Sequence, residues 1–253
     1  MTYKTHREFA ICFVLIANII IYKLHLSHTG YYVNMIVMIL CGKQGALFPD
    51  VDHDWKNVKE KTVINKAINS VIHAMGGKHR SVQTHSWDVW LISFIGALVV
   101  NGLLSENNAT VFILIISGFW CGWLSHLISD MMTSAGVYIT CLNKNSKIAF
   151  VPKQANMTFG LSIAFILTLI GLFVKYIIRL QSVQFAGDII IVAGIIFAIV
   201  SVLLRDTKFN TGNEWENGVY KVVLVFNTVF TIYSLIFPMI DGQTEEILKI
   251  WMQ

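Results

Sequence analysis

Histidines and acids that could share a metal ion stand in four short polar clusters along this chain. They are Thr5-His6, Pro49-Asp50-Val51-Asp52-His53, the run His79-Arg80-Ser81-Val82-Gln83-Thr84-His85-Ser86, and Ser125-His126 with Asp130. Neutral imidazole and carboxylate are the donors that borderline and hard divalent ions take. Each cluster abuts a hydrophobic run long enough to approach a membrane span. Lipid tolerates ionisable groups poorly, so several at membrane depth need a reason. The expectation is a metal site assembled at one end of a transmembrane helix bundle.

Spacing sharpens the expectation. His126 and Asp130 are i, i+4 and share one helix face, which suits two ligands or one ligand with its orienting carboxylate. Asp50 and Asp52 alternate after a proline, so their carboxylates point differently; a solvated loop is the plain alternative. His79 and His85 bracket Arg80, whose planar guanidinium is shaped to hold a phosphate or carboxylate bidentately. Ser86 precedes an apolar run and is read as a helix cap. His25, His28 and His73 lack acidic sequence neighbours and are read as structural or interfacial.

Composition supplies the frame. The chain has 253 residues, 55% hydrophobic and 13% charged. A soluble domain carries about twice that charged fraction. The net charge of +4 fits basic cytoplasmic loops better than a nucleic-acid binder, so no nucleic-acid partner is expected. Cys12, Cys41, Cys121 and Cys141 form no Cys-x-x-Cys pair and read as small hydrophobes, not as a disulfide scaffold.

Seven apolar runs meet or approach the length of a spanning helix. They are Phe9–Leu26, Tyr31–Phe48, Val89–Leu104, Thr110–Ile128, Phe159–Ile178, Phe185–Leu204 and Val219–Met239. The first follows Lys4 and Arg7 like a signal peptide, but no small-residue cleavage pattern follows it, so it is read as a retained helix. Lys and Arg gather before the first span and after the second, fourth and sixth. The positive-inside rule places those segments, with the N-terminus and every polar cluster, in the cytoplasm. The fold class is therefore all-α: a polytopic bundle of about seven spans with a metal site at its cytoplasmic face. Residues 1–253 form one integral membrane domain, with a motif-bearing core 1–155 and C-terminal helices 156–253. Val58 to Met75 reads as an amphipathic helix ended by Gly76-Gly77, lying in the interface against anionic lipid.

The combined pattern resembles the YdjM-like membrane-bound metal-dependent hydrolases, also described as LexA-regulated inner-membrane hydrolases. Thr5-His6, Leu47 to His53, His79 to Ser86 and Gly122 to Val137 carry the resemblance, over roughly residues 1–155. Thr211 to Glu216 looks like a weaker fifth motif, and Ser81 stands where the family pattern usually has Gly. The resemblance implies a divalent-metal hydrolase of the plasma (inner) membrane. Its expected metal ligands are His6, Asp50, Asp52, His79, His85, His126 and Asp130. Asp52, Arg80 and Glu216 are the expected catalytic groups, with Asp52 as general base and Arg80 holding an anion. Zinc suits the His/Asp mixture, with manganese or iron as alternatives and the number of ions open. The expected substrate is a phosphoester, as in a membrane phospholipid or lipid-linked phosphate. The rival readings are a metal or proton transporter, or a non-catalytic metal-binding or stress-response interaction protein.

Overall fold

The computed structural model describes residues 3–58, 61–133, 135–149, 165–166, 168–172, 190–191, 194–195 and 213–251. In the last of these stretches, side chains are described for residues 218 and 220–238 only. The described chain is mostly helical. Met1–Val151 with Val223–Gln253 forms one compact unit and Pro152–Val222 a second. Every described residue of the candidate site lies in the first unit.

Helices α1 (Tyr3–Lys23), α2 (Tyr31–Leu47) and α5 (Glu106–Met131) pack on one another, and α4 (Trp87–Gly102) lies against α5. Val14, Leu15, Met38, Leu114 and Ile116 are buried between them, with Asn18 and Asn34 also buried toward the α1–α2 loop. Their outer surface is aliphatic. Val33, Ile36 and Leu40 on α2, and Leu91, Ile92, Ile95 and Val99 on α4, are exposed. In water such a surface would drive association; against lipid it is the ordinary state.

Among the described residues, four helices are long and apolar enough to cross a membrane: α1, α2 extended to Asp52, α5, and Tyr220–Pro238 within α6 (Asn213–Trp251). Helix α4 is apolar but shorter. The expected spans Phe159–Ile178 and Phe185–Leu204 fall largely outside the described residues. Asn227 of α6 ties that helix to α1, its Nδ2 donating to the Glu8 carbonyl at 2.8 Å and to Glu8 Oε2 at 2.7 Å.

Connections reverse the chain so that the polar clusters meet. After α1, Leu26 N–H reaches back to the Ile21 carbonyl while His25 takes φ +51°. That is the left-handed helix stop, and it gives His25 a structural task. After α2 the chain tightens into a single 3-10 turn, Pro49–Asp52. Proline at its first position is tolerated because that N–H would lack a partner anyway.

The amphipathic helix is shorter than its periodicity suggests. Helix α3 runs Val63–Ala74, with Thr62 capping it by accepting from Asn65 N–H at 3.0 Å. Val58 lies before it, buried. A threonine cap, placed inside the apolar pattern, sets the start. Gly76 at φ +77° ends it, as expected. Strands β1 (Val137–Tyr138) and β2 (Lys147–Ile148) form a small antiparallel hairpin after α5.

Candidate metal centre

The centre begins with how closely two helices approach. Gly42 and Gly45 on α2 face Gly118 and Gly122 on α5. A Cβ at Gly122 would collide with the Gly42 carbonyl, and one at Gly45 with the Phe119 carbonyl. Small residues let the two backbones touch. Touching brings the Ala46 carbonyl to His126, whose Nδ1 donates to it at 2.7 Å. That bond fixes the tautomer, assigned here from the network: the proton sits on Nδ1 and the lone pair on Nε2.

The same logic holds for two more histidines. Ser129 Oγ donates to the His126 carbonyl at 2.9 Å, so it accepts from His6 Nδ1 at 2.6 Å. Thr84 Oγ1 donates to Asp52 Oδ2 at 2.7 Å and accepts from His85 Nδ1 at 2.9 Å. All three rings thus turn an Nε2 lone pair inward. His6 stacks on His126, with centroids 3.9 Å apart and planes 17° apart. The Nε2 atoms of His85 and His126 are 3.3 Å apart. Asp130 Oδ2 stands 3.6 Å from each of them, and its Oδ1 3.6 Å from His6 Nε2. His6, His85 and His126 are buried. Paired lone pairs at that separation, beside a carboxylate and away from water, are the arrangement a cation would satisfy.

His85 is held by its backbone. Its N–H donates to the Ser81 carbonyl and its carbonyl accepts from Tyr138 of the hairpin, both at 2.9 Å. Trp123 Nε1 donates to the Thr84 carbonyl, also at 2.9 Å. Asp88 draws the hairpin onto the start of α4 by accepting from Thr140 Oγ1 at 2.8 Å. Ser86 stands at the cap position, but its Oγ donates to the Val82 carbonyl at 2.6 Å instead of accepting from the helix. The loop's own turn outcompetes the cap.

Arg80 takes φ +60°, the left-handed region that costs a side-chain-bearing residue about 1–2 kcal/mol. The residue after it, Ser81, is not in that region; its N–H donates to Asp52 Oδ2 at 2.7 Å. Serine in place of glycine therefore keeps the one group the turn uses, a backbone donor. The Arg80 guanidinium donates to Asp130 Oδ1 and to Thr133 Oγ1, each at 3.1 Å, and is 18% exposed.

Asp52 is fully buried behind the histidines. Oδ2 lies 3.3 Å from His85 Nδ1 and Oδ1 3.5 Å from His79 Nδ1, and Oδ1 has no hydrogen-bond partner among the described residues. Asp50 is half-open, its side chain 24% exposed, with Oδ1 3.9 Å from His126 Nε2. His79 is 42% exposed and stacks on His53 with centroids 3.4 Å apart. Burial, with His79 against it, holds His53 below the usual imidazole range. Helix α3 sets the place of His53: Asn69 Nδ2 donates to the carbonyls of Val51 at 2.6 Å and His53 at 2.8 Å.

Among the described residues, three sets bring ligand atoms within 4.8 Å of one another: His6, His126 and Asp130; Asp50, His85 and His126; Asp50, His53 and His79. Six of the seven expected ligands are among them. Asp52, the seventh, lies behind two of the rings, and Arg80 lies on Asp130. The Glu216 side chain falls outside the described residues. The donor set and the converging lone pairs fit a divalent ion.

Sequence reasoning gave no task to Ala46, Thr84, Ser129 and Asn69, which orient the ligands, and left His53 aside. Ser129 and Thr84 carry a legible signal, since each adjoins a ligand in a polar cluster. Ala46 acts through a carbonyl that every residue has, so no residue type could reveal it.

No curated protein and no solved structure matches the chain. The model of the YdjM inner membrane protein family matches residues 1–211, beyond the 1–155 that the motifs span. That stretch contains every histidine and acid of the cluster, and the chain belongs to the YdjM inner membrane protein family.

Proposed function

We propose that this protein is a metal-dependent hydrolase acting at the cytoplasmic face of the inner membrane on a phosphoester, in a phospholipid or lipid-linked phosphate. One observation carries the reading. Three imidazoles with occupied Nδ1 atoms turn Nε2 toward Asp130 at one end of an apolar bundle, and Asp50 and His79 leave one side open. An enclosed structural site would have no such side. Zinc suits the imidazole-rich donor set, and manganese or iron can take the same residues. A bound divalent ion lowers the pKa of water and polarises a phosphoryl oxygen.

The residues divide the remaining work. Asp52 orients His79 and His85 from behind, too deeply buried for a substrate to reach. Protons exchanged with substrate pass on the open side, where Asp50 and His79 stand. Arg80 borders that region with a guanidinium that has donors beyond the two spent on Asp130 and Thr133, and these suit a phosphate oxygen. The basic residues on the cluster's side of the spans favour both the cytoplasmic placement and an anionic lipid surface.

A metal or proton transporter would need polar groups through the bundle. Next to the centre the packed interior of α1, α2 and α5 presents Val14, Leu15, Met38 and Leu114, and the buried Asn18, Asn34 and Thr110 lie beyond that apolar layer, toward the far loop. The test is an assay of detergent-purified protein on a panel of phospholipids and lipid-linked phosphates. Product should form with added divalent metal and cease with chelator. Metal bound without product from any substrate would favour a non-catalytic metal-binding or stress-response interaction protein.

A further inference from the structure

We infer that the cluster holds two divalent ions side by side, an inner one on His6, His85, His126 and Asp130 and an outer one on His53 and His79, with Asp50 shared between them. The inference rests on the metal-centre reading above and goes beyond it by assigning a second position and a ligand, His53.

The three sets of ligand atoms define the partition. The two that include His126 must use the same atom, Nε2, because Nδ1 is spent on Ala46. A nitrogen has one lone pair to give, so those two sets describe one ion. The third set shares no residue with the first and only Asp50 with the second. His53 and His79 are therefore surplus to the inner ion, yet their rings lie together beside Asp50. A carboxylate has two oxygens and can serve an ion on each side.

Asp52 supplies an independent observation. Its two oxygens face the Nδ1 atoms of different histidines, Oδ2 that of His85 and Oδ1 that of His79. A carboxylate behind a ligating imidazole fixes its tautomer and raises its basicity. Here one buried carboxylate backs one histidine of each position. Among the described residues Oδ1 has no hydrogen bond, and the group it faces is His79 Nδ1, which it is placed to orient. Were His79 a plain surface residue, that oxygen would be buried unsatisfied for no return.

The two positions differ in access. His85 and His126 are fully buried, whereas His79 is 42% exposed and Asp50 24%. The inner ion would be enclosed by protein and the outer one open to a phosphoryl oxygen. Paired ions that clamp a phosphoester between them are an established chemical solution for this bond.

The experiment measures metal stoichiometry by equilibrium dialysis of the detergent-purified full chain against Zn²⁺, and separately against Mn²⁺. Helix content by circular dichroism and the elution volume confirm folding of each variant. Wild type should retain two ions per chain at saturation. His53→Ala should retain one, and His53→Asp, which restores a ligand of another type, should recover the second. One ion in wild type, unchanged in His53→Ala, would overturn the second position and leave the metal-centre reading intact. Two ions that both survive His53→Ala would overturn the ligand assignment. No ion in wild type at any concentration would overturn the metal-centre reading, and this inference with it.

Discussion

His126 donates its Nδ1 proton to the carbonyl of Ala46, 80 positions earlier in the chain, across 2.7 Å. The bond exists because Gly122 lets α5 lie against α2. In Gly122→Ala the new methyl meets the Gly42 carbonyl and the Ala46 N–H. Overpacking of this kind costs about 1–3 kcal/mol. The helices must separate, so the thermal midpoint should fall and metal affinity should fall with it. Melting and metal dialysis of one preparation check this; unchanged affinity would show that the Ala46 contact does not orient His126.

Asp52→Asn keeps shape and removes charge. The asparagine has one oxygen and an amide NH2, so it cannot face both the His79 and the His85 Nδ1 with a carboxylate oxygen. Loss of such an orienting carboxylate commonly costs 10- to 100-fold in metal affinity. Competition against a chelator of known affinity reads the change. Unaltered affinity would mean that Asp52 supports only the Ser81 turn.

Arg80→Ala separates catalysis from assembly. Metal should be retained, because Arg80 is no ligand, while phosphoester turnover should drop by about 10²–10³, the usual scale for a lost electrostatic stabiliser. Arg80→Lys should recover only part, since an ammonium lacks the planar fork. Some stability should also be lost, because Asp130 is buried beside the guanidinium. Full turnover in Arg80→Ala would remove Arg80 from the substrate.

The basic loops are expected to set the bundle's orientation. Residues 1–8, 50–87, 130–158 and 205–218 should share the cytoplasmic side. Single cysteines at Lys78 and at His28, both exposed and in loops at opposite ends of α1 and α2, placed in a chain whose own cysteines are replaced, give the test. An impermeant thiol reagent added to intact cells should label position 28 and spare position 78. The reverse would invert the topology.

Residue type and spacing made much of this centre legible. His126 and Asp130 at i, i+4 share a face in any helix, and the polar clusters fall at alternate ends of apolar runs. The roles within the cluster were less legible. Asp50 and Asp52 look alike in sequence, yet the 3-10 turn after Pro49 sends one to the open side and buries the other. Arg80 and Asp130 are 50 residues apart, and only the left-handed turn at Arg80 brings their charges together. His53 depends on Asn69 of α3, a contact between elements that no local pattern encodes.

The central claim is that His126 and its neighbours bind a divalent metal. Its most direct measurement is the metal content of detergent-purified wild type and His126→Ala, taken from the same membrane preparation and washed identically. The account predicts bound divalent metal in wild type and a marked loss in His126→Ala while the variant stays membrane-inserted. Equal metal in the two, or none in wild type, would contradict it.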